Sequence, residues 1–409
     1  MPAERMKSRM LVLLLTLSLL VLHLGCSVQE ESPTQGQIPP ELDRKLSEIA
    51  SRGHLPGFGV SIVTSDGVLF EKGYGYADIE KKIPYTTKSL QNIGSISKTL
   101  IGISLMQLAE ENQIRLDDDV SRYLPFKVVN PHFPNEPILI RHLAEHTSTL
   151  RDTEEFWRYD YFLQESVPTG RGNAAKIDLL NPDNKRIPLD QFVRNFVATD
   201  GIWYKKSNFL NQRPGTQFEY SNLGAALAAY IVECVTWESF ADYTEKRILK
   251  PVGMTDSAWF LSEIDKSRYA THYMGEKVIP LYAFSTYPDG GFISSVEDMG
   301  RFLMEMIRGY KGESKLLRRE SFQAMMSGTE GYGIFWDHRK GAIGHYGGDP
   351  GIKTSMWFNP STEVGFVLFT NCNWRGPNGA LYEMEGAASQ KAFVDIQEIL
   401  TGSLKPSHP

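Results

Sequence analysis

Strand-like segments stand at both ends of this chain, with a long helical stretch between them. Residues 57–64 and 68–76 are apolar or alternating, and the Asp66-Gly67 pair between them is typical of a β-hairpin. Near the C-terminus, Gly, Pro, Asn and Ser separate three similar runs, at residues 342–345, 353–358 and 364–370. The pattern predicts an α/β fold of the α+β type: one antiparallel sheet built from both chain ends, with flanking helices and an inserted, mainly helical subdomain.

Apolar periodicity predicts the helices of the middle region. The stretch 97–112 carries apolar residues on nearly all sides, which indicates a deeply buried helix. Residues 151–215 hold many aromatic and charged side chains with little periodicity. We interpret them as long loops and short helices that could border an active site. Further helices are predicted near residues 41–52, 189–198, 223–235, 238–248, 296–309 and 380–401.

The N-terminus has the layout of a secretory signal. Three basic residues precede the apolar run 10–22, which is too short to be assigned as a membrane-spanning helix. The run is followed by Gly25-Cys26, which resembles a bacterial lipoprotein cleavage site, although His23 stands where that pattern prefers Leu. We expect Cys26 to carry a lipid, with a plain signal peptide or an uncleaved anchor as the alternatives. In each case the protein is expected at the periplasm or the cell surface.

Three segments follow from these boundaries. Residues 1–26 are the predicted signal peptide, residues 27–41 a polar tether, and residues 42–400 one folded domain whose helical subdomain covers about 95–290.

The net charge of -6 provides no basic surface for nucleic acid. Three cysteines are too few to indicate a disulfide framework. The oligomeric state leaves no trace in the sequence.

Ser95 is the only serine that is followed three residues later by a lysine, Lys98. On a helix the two side chains lie on one face, one turn apart. A serine hydroxyl is a poor nucleophile without a neighbouring base, and a buried amine with a lowered pKa can act as that base. The alternative interpretation is a serine helix cap with an exposed lysine, but the buried character of 97–112 argues against it.

Tyr220 and Asn222 form a second candidate pair, just after Pro214-Gly215. Two residues apart in a turn, both side chains can point into one cleft. A tyrosinate held near cations could pass a proton to a leaving group, and an Asn amide could hold the amide of a substrate. The alternative is a core tyrosine followed by an Asn that caps the helix at 223–235, and this alternative would be preferred if the pair stood alone.

A third group begins with His345 at the end of a predicted strand and continues through Gly347 and Gly348. Glycines at this place would allow a substrate backbone to approach as an added strand. A tight turn with an incidental histidine is the alternative. Asp349 follows directly, and we interpret it as a turn residue, although contact with substrate is conceivable.

In this order the three groups resemble the serine β-lactamase-like family, which includes class C β-lactamases, D,D-peptidases, D-aminopeptidases and related esterases. The segment 93–99 resembles its nucleophile block, and Ile140-Arg141-His142-Leu143 to His146-Thr147-Ser148 resembles its LLTHTSGL segment, with Thr149 in place of glycine. Similar segments also include Asp117-Asp118-Asp119-Val120 to Leu124-Pro125, Pro251-Val252-Gly253-Met254 and Gly290-Gly291. The resemblance covers about residues 42–400.

The resemblance implies a role for each matched residue. Ser95 would form the acyl-enzyme, Lys98 and Tyr220 would share the acid and base work, and Asn222 would hold the amide on the acyl side. The backbone N–H groups of Ser95 and Gly348 would form the oxyanion hole. The implied protein is an enzyme that acts on a small-molecule or peptide-like substrate and needs no cofactor and no metal.

Two positions depart from the lactamase pattern. His345 replaces the usual lysine, as in the peptidases and esterases of the family. Tyr346 replaces a threonine that helps to hold a substrate carboxylate, and its bulky ring is expected to hinder recognition of β-lactam or D-Ala-D-Ala carboxylates. We therefore expect a serine hydrolase of esters or amides, including D-amino-acid peptide-like compounds. A true β-lactamase or D,D-carboxypeptidase is the alternative.

Two alternatives come from other classes of protein. His142-Leu143-Ala144-Glu145-His146 matches H-x-x-E-H, a zinc-peptidase signature in which both histidines would share a metal from one helix. A protein that only binds cell-wall peptides is also conceivable on this scaffold. Against that second reading, every residue needed for the serine chemistry is present.

Overall fold

The predicted sheet is present, and it joins the two ends of the chain. The computed structural model describes residues 40–164, 183–275, 277–327, 331–373 and 383–404. An eight-stranded antiparallel sheet has the order β10-β11-β12-β13-β14-β1-β2-β3. Its centre pairs β14, from the C-terminal part, with β1, and Phe58 lies opposite Thr370. The strands of this sheet are β1 Gly57–Val63, β2 Val68–Asp78, β3 Ile83–Pro84, β10 Gly331–Tyr332, β11 Asp337–Arg339, β12 Ala342–Asp349, β13 Ile352–Asn359 and β14 Val364–Thr370.

Three two-stranded pairs lie outside the main sheet. They join β4 to β9, β5 to β8 and β6 to β7. Their bounds are β4 Gln91–Asn92, β5 Tyr161–Leu163, β6 Tyr273–Met274, β7 Lys277–Val278, β8 Tyr282–Phe284 and β9 Ile293–Ser294.

The helices occur close to their predicted places. The predicted helix at 238–248 is interrupted, because a wider π turn at Glu245–Leu249 separates two short helices. The helices are α1 Pro40–Ser51, α2 Lys98–Glu110, α3 Ile140–Ala144, α4 Glu154–Asp160, α5 Leu189–Val197, α6 Asn222–Thr236, α7 Phe240–Thr244, α8 Lys250–Val252, α9 Val296–Lys311, α10 Arg319–Met325 and α11 Glu383–Ser403. Short 3-10 turns include Gly94–Ser97 and Tyr287–Asp289.

Both faces of the sheet are covered, so every residue of β1 is buried rather than every second one. On one face Phe58, Val60 and Ile62 share a hydrophobic cluster with residues of α1 and α11. On the other face Val63 belongs to the larger cluster, which includes α2, α6 and α9. The sheet is therefore the middle layer between the two terminal helices and the helical region.

The prediction of a deeply buried helix after Ser95 is confirmed. In α2 every residue from Lys98 to Leu108 is buried. Helix α6 packs against it and is also buried along most of its length, so the N-terminal ends of both helices are held by the core. Within the described ranges no single helix is long and apolar enough to cross a membrane; α6 and the segment Phe240–Val252, bent by 79°, pass that test only as a pair.

Candidate active site

The nucleophile candidate lies where a 3-10 turn, Gly94–Ser97, runs directly into α2. Gly94 has a φ of 58°, a conformation that favours glycine and turns the chain sharply into the helix. The amine of Lys98 lies 3.1 Å from the hydroxyl of Ser95. Lys98 is fully buried, so the alternative of an exposed, idle lysine is wrong.

Three oxygen atoms surround the amine of Lys98. Besides the Ser95 hydroxyl, Nζ lies 2.6 Å from the side-chain oxygen of Asn222 and 2.6 Å from the backbone carbonyl of Asp289. Burial lowers the pKa of Lys98, and the nearby carboxylates of Asp289 and Asp152 oppose this change. A neutral amine has two N–H bonds and one lone pair. When the two carbonyl oxygens hold both N–H bonds, the lone pair is left to face Ser95.

Asp152 orients Asn222, and the sequence analysis did not identify it. One carboxylate oxygen accepts from the backbone N–H of Asn222 at 2.8 Å and from its side-chain amide at 2.9 Å. The other accepts from the N–H of Leu223 at 3.0 Å and the hydroxyl of Ser221 at 3.2 Å. Because the NH₂ group of Asn222 is held by Asp152, its oxygen must face Lys98. The only signal in the sequence was the position of Asp152, four residues after Ser148 of the LLTHTSGL-like segment.

Tyr220 is present in the same site as a neutral phenol. Its ring centroid lies 5.1 Å from the amine nitrogen of Lys98 and 4.3 Å from the ring centroid of His146. Burial raises the pKa of Tyr220 well above its usual value, and the neighbouring Ser95 hydroxyl only partly opposes this change. Burial therefore favours the neutral phenol over the tyrosinate, because a buried ring disfavours the charged form.

His345 also reaches this site and is neutral there. Its Nδ1 lies 2.6 Å from the backbone carbonyl of Tyr346, and because a carbonyl only accepts, Nδ1 carries the proton. The lone pair is then on Nε2. Burial, together with Lys98, lowers the pKa of His345 to about 3. The imidazole ring centroid of His345 lies 6.4 Å from the ring centroid of Tyr220. Because its pKa is low, His345 cannot supply the positive charge of a lysine, but its Nε2 can accept a hydrogen bond.

Tyr346 points away from the cleft, because successive residues of a strand face opposite sides. Its ring lies 4.9 Å from the ring of Trp357, and its hydroxyl contacts Gln397 of α11. The sequence analysis treated this ring as an obstacle to carboxylate recognition. That interpretation was wrong about its location, since the ring lies behind the strand. The cleft still lacks the threonine hydroxyl that this position supplies in the lactamase pattern.

The two glycines of β12 serve different purposes. A Cβ on Gly347 would lie 2.1 Å from the carbonyl oxygen of Ile93, so this glycine permits β12 to approach the chain just before Ser95, not a substrate. A Cβ on Gly348 would meet only Asn373, at 3.6 Å. Among the described strands, β11 pairs with β12 only over residues 342–344. From His345 onward this edge of β12 pairs with no described strand, and Gly348 is exposed there.

A family comparison agrees with this geometry. The model of the Beta-lactamase family matches residues 42–386. The chain belongs to the Beta-lactamase family. Its match to this family covers both the N-terminal strands and β14, as the joined sheet requires.

Two curated proteins illustrate the sequence similarity of this Beta-lactamase family protein. "Protein flp" of Staphylococcus aureus is 25% identical over 350 residues, which is 81% of this chain and 63% of that protein. A putative penicillin-binding protein of Bacillus subtilis, PbpX, is 28% identical over 324 residues, covering 76% of this chain and 70% of the relative. The chain thus spans less than two thirds of the length of the flp proteins that it matches.

Solved structures show the same fold. An octameric penicillin-binding protein homologue from Pyrococcus abyssi has a TM-score of 0.65 and 23% identity, covering 89% of this chain and 79% of its own. The D-amino acid amidase from Ochrobactrum anthropi SV3 has a TM-score of 0.65 and 21% identity, covering 88% and 99%. These likenesses confirm the fold class of the Beta-lactamase family member described here.

The H-x-x-E-H segment is not arranged as a zinc motif in this Beta-lactamase family protein. Helix α3 ends at Ala144, and His146 has a φ of 54°, so the two histidines do not share a helical face. His142 accepts a hydrogen bond from the N–H of Leu139, and His146 accepts one from the N–H of Ser221. Across the described ranges, no three His, Cys, Asp or Glu side chains are grouped as metal ligands.

The predicted lipid site at Cys26 lies outside the described residues, as do the signal peptide and all but the last two residues of the tether at 27–41. Lipidation and export therefore stay predictions. The remaining cysteines, Cys234 and Cys372, are free thiols.

Proposed function

We propose that this protein is a serine hydrolase that cleaves esters or amides through an acyl-enzyme on Ser95. The observation that supports the proposal most directly is the enclosure of Lys98. Two carbonyl oxygens and the Ser95 hydroxyl lie at 2.6–3.1 Å from a fully buried amine. An uncharged amine in this setting has one lone pair, and that lone pair faces the hydroxyl that must lose a proton.

In the proposed acylation step, Lys98 takes the proton of Ser95 while the serine oxygen bonds to the substrate carbonyl carbon. The N–H groups of Ser95 and Gly348 hold the oxygen that becomes negative. Tyr220, a neutral phenol, donates its proton to the leaving alcohol or amine. The proton on Lys98 then returns to the Tyr220 oxygen, so that each group regains its starting state.

In the proposed deacylation step, water replaces the leaving group and the same residues act in reverse. Water gives one proton to the neutral amine of Lys98 as its oxygen bonds to the acyl carbon, and Lys98 then holds the proton that the serine oxygen needs. The bond between Ser95 and the acyl carbon then breaks, and the serine oxygen recovers a proton. Asn222 keeps Lys98 aligned throughout, because one N–H of its NH₂ group donates to Asp152 and its oxygen contacts the amine; the second N–H is the one that would donate to a carbonyl of the acyl group.

The cleft favours esters and amides over substrates that depend on a carboxylate. Recognition of a carboxylate requires a positive charge or hydroxyl donors at the β12 edge. His345 is neutral, and the hydroxyl of Tyr346 is turned to the opposite face, toward Gln397. We therefore rank β-lactams and D-Ala-D-Ala peptides below simple esters and amides.

A fluorophosphonate probe with p-nitrophenyl acetate and nitrocefin tests the proposal. The wild type should be labelled and should hydrolyse the acetate, Ser95→Ala should do neither, and Ser51→Ala, an exposed serine, should match the wild type. Absence of labelling in the wild type would favour a binding protein without catalysis. Activity that survives Ser95→Ala but is lost with a chelator would favour the metal alternative. If nitrocefin is the fastest substrate, the preference for esters and amides is wrong.

We also propose that the protein is exported and lipidated at Cys26. Mass spectrometry of the mature N-terminus should find a lipid-modified Cys26 as the first residue. A Cys26→Ala variant should then leave the membrane fraction. An unmodified N-terminus after cleavage elsewhere would instead support a plain signal peptide.

A further inference from the structure

Strand β12 places two polar side chains on opposite sides of the nucleophile. His345, Gly347 and Asp349 share one face of the strand, because side chains alternate. His345 and Asp349 are four residues apart, which is about 13 Å along a strand. His345 lies beside Tyr220, whereas one carboxylate oxygen of Asp349 would lie 2.9 Å from a Cβ placed on Gly94, the residue before Ser95.

This arrangement gives the cleft a direction. In the proposed mechanism Tyr220 protonates the leaving group, so the leaving group lies at the His345 end of β12. The reacting carbon lies between the two ends, near the N–H of Gly348. The acyl part of the substrate must then extend toward Asp349.

Asp349 has a carboxylate oxygen available for a ligand. Oδ1 accepts a hydrogen bond from the hydroxyl of Tyr161 at 2.9 Å, which fixes the carboxylate. Within the described ranges, no hydrogen bond reaches Oδ2, and the residue is only partly buried. Burial raises the pKa of Asp349 to about 7, and the hydrogen bond from Tyr161 and the charge of Lys98 oppose this change only in part.

Two further carboxyl groups lie near Asp349, and burial opposes the ionisation of both. The carboxylate of Asp289 is buried, and its Oδ2 has no hydrogen-bond partner among the described residues. Asp160 is buried near the same place, and burial raises its pKa to about 6. Lys98 is the only cation acting on Asp349 among its principal electrostatic neighbours, and its N–H bonds are directed to other oxygens. A cation arriving with the substrate would be stabilised here.

We propose that Asp349 selects substrates whose acyl part carries a free ammonium group, such as amino-acid amides, amino-acid esters and peptides with an unblocked N-terminus. The inference rests on the proposed function. The ammonium group donates to Oδ2 of Asp349, while Tyr161 holds the other oxygen in place. An uncharged or N-acylated substrate would leave that oxygen without a partner.

Two pairs of substrates test this inference. D- and L-alanine p-nitroanilide carry a free amine, and their N-acetyl forms do not. At a pH of about 7.5, much of the α-amine, whose usual pKa is about 7.7–8.0, is charged. The measured quantity is the ratio of kcat/KM for the free form to that for the N-acetyl form of the better enantiomer, which cancels general effects on catalysis. The wild type should prefer the free amine.

Asp349→Asn should lower that ratio about ten- to a hundredfold, the usual effect of losing a hydrogen bond between charged groups. Tyr161→Phe keeps the carboxylate of Asp349 and should retain most of the preference for the free amine. Comparison of the two variants therefore separates the effect of the Asp349 charge from the effect of its packing. Asp66→Asn removes a charge from the exposed hairpin turn at the far end of β1 and should leave the ratio at the wild-type value. Thermal unfolding of each variant would report any loss of folding.

The outcomes distinguish this inference from the proposed function. If p-nitrophenyl acetate is hydrolysed only when Ser95 is present, the proposed function stands whatever the ratio shows. If the wild type then prefers the N-acetyl form, or Asp349→Asn keeps the wild-type ratio, the inference about Asp349 is overturned. If Ser95→Ala has no effect on hydrolysis, the proposed function itself fails.

Discussion

Replacement of Asp152 by Asn tests whether this carboxylate orients the catalytic groups. The change preserves shape but removes one of two acceptor oxygens. In the wild type each oxygen receives two hydrogen bonds, one pair from Asn222 and the other from Ser221 and Leu223. An Asn side chain can accept only one pair, and its NH₂ group would face the donors of the other.

The expected loss can be estimated from these contacts. A hydrogen bond to a charged group contributes about 1.5–3 kcal/mol, so two lost bonds should lower the free energy of unfolding by about 3 kcal/mol or more. A displaced Asn222 would no longer hold the amine of Lys98, and misplacement by about 1 Å can cost about a hundredfold in rate. We expect a loss of that size in kcat/KM.

The pH dependence of kcat/KM distinguishes an electrostatic effect of Asp152 from a purely structural one. The charge of Asp152 opposes the lowering of the Lys98 pKa by burial. Without that charge the pKa of Lys98 falls further, so the amine stays neutral to lower pH. The acid limb of the kcat/KM profile for p-nitrophenyl acetate should therefore move to lower pH in Asp152→Asn.

Asp160→Asn is the matched control. Asp160 is also buried near Lys98, but a single oxygen accepts both of its hydrogen bonds, from the N–H and the hydroxyl of Thr286. An Asn can keep both, so activity should stay within a few-fold of the wild type. Wild-type kcat/KM and an unmoved acid limb in Asp152→Asn would refute the orienting role.

Three further predictions address other parts of the site. Lys98→Arg should abolish fluorophosphonate labelling, because an arginine cannot lose its proton to serve as a base; retained labelling would contradict the base role. Tyr220→Phe should slow hydrolysis of an anilide about a hundredfold or more but affect p-nitrophenyl acetate less, because p-nitrophenolate needs little protonation. Its melting temperature should stay close to that of the wild type, because phenylalanine keeps the buried ring that packs against His146. Gly347→Ala should destabilise the fold by about 1–3 kcal/mol through its clash with Ile93, whereas Gly348→Ala should fold normally; equal melting temperatures would count against the packing argument.

Burial has the same effect on three of the candidate catalytic and binding residues: it favours their uncharged forms. Burial disfavours the charged forms of Lys98, Tyr220 and His345 alike, so their pKa values move in the directions that remove charge. A neutral amine can accept a proton and a neutral phenol can donate one. The same desolvation therefore prepares the base and the acid of the proposed reaction.

Local patterns in the sequence determined the elements of the fold. The hairpin at Asp66-Gly67, the buried helix after Ser95 and the three C-terminal strands depend on periodicity and turn residues within a few positions. The spacing of Ser95 and Lys98 likewise placed the two on adjacent turns, and the structure confirms that they are in contact. The π turn at Glu245–Leu249 was missed, because its composition does not differ from that of an ordinary helix.

Only the tertiary structure decided how the site is assembled. Lys98 meets Asn222 across 124 positions and Asp289 across 191, and no local pattern specifies such contacts. The roles of Asp152 and Asp349, the outward turn of Tyr346 and the neutral state of Tyr220 also depend on which neighbours surround each side chain. Residue type sets the chemistry that a group can perform. Burial and long-range packing decide its charge and the direction in which it points, because both depend on residues that are distant in the chain.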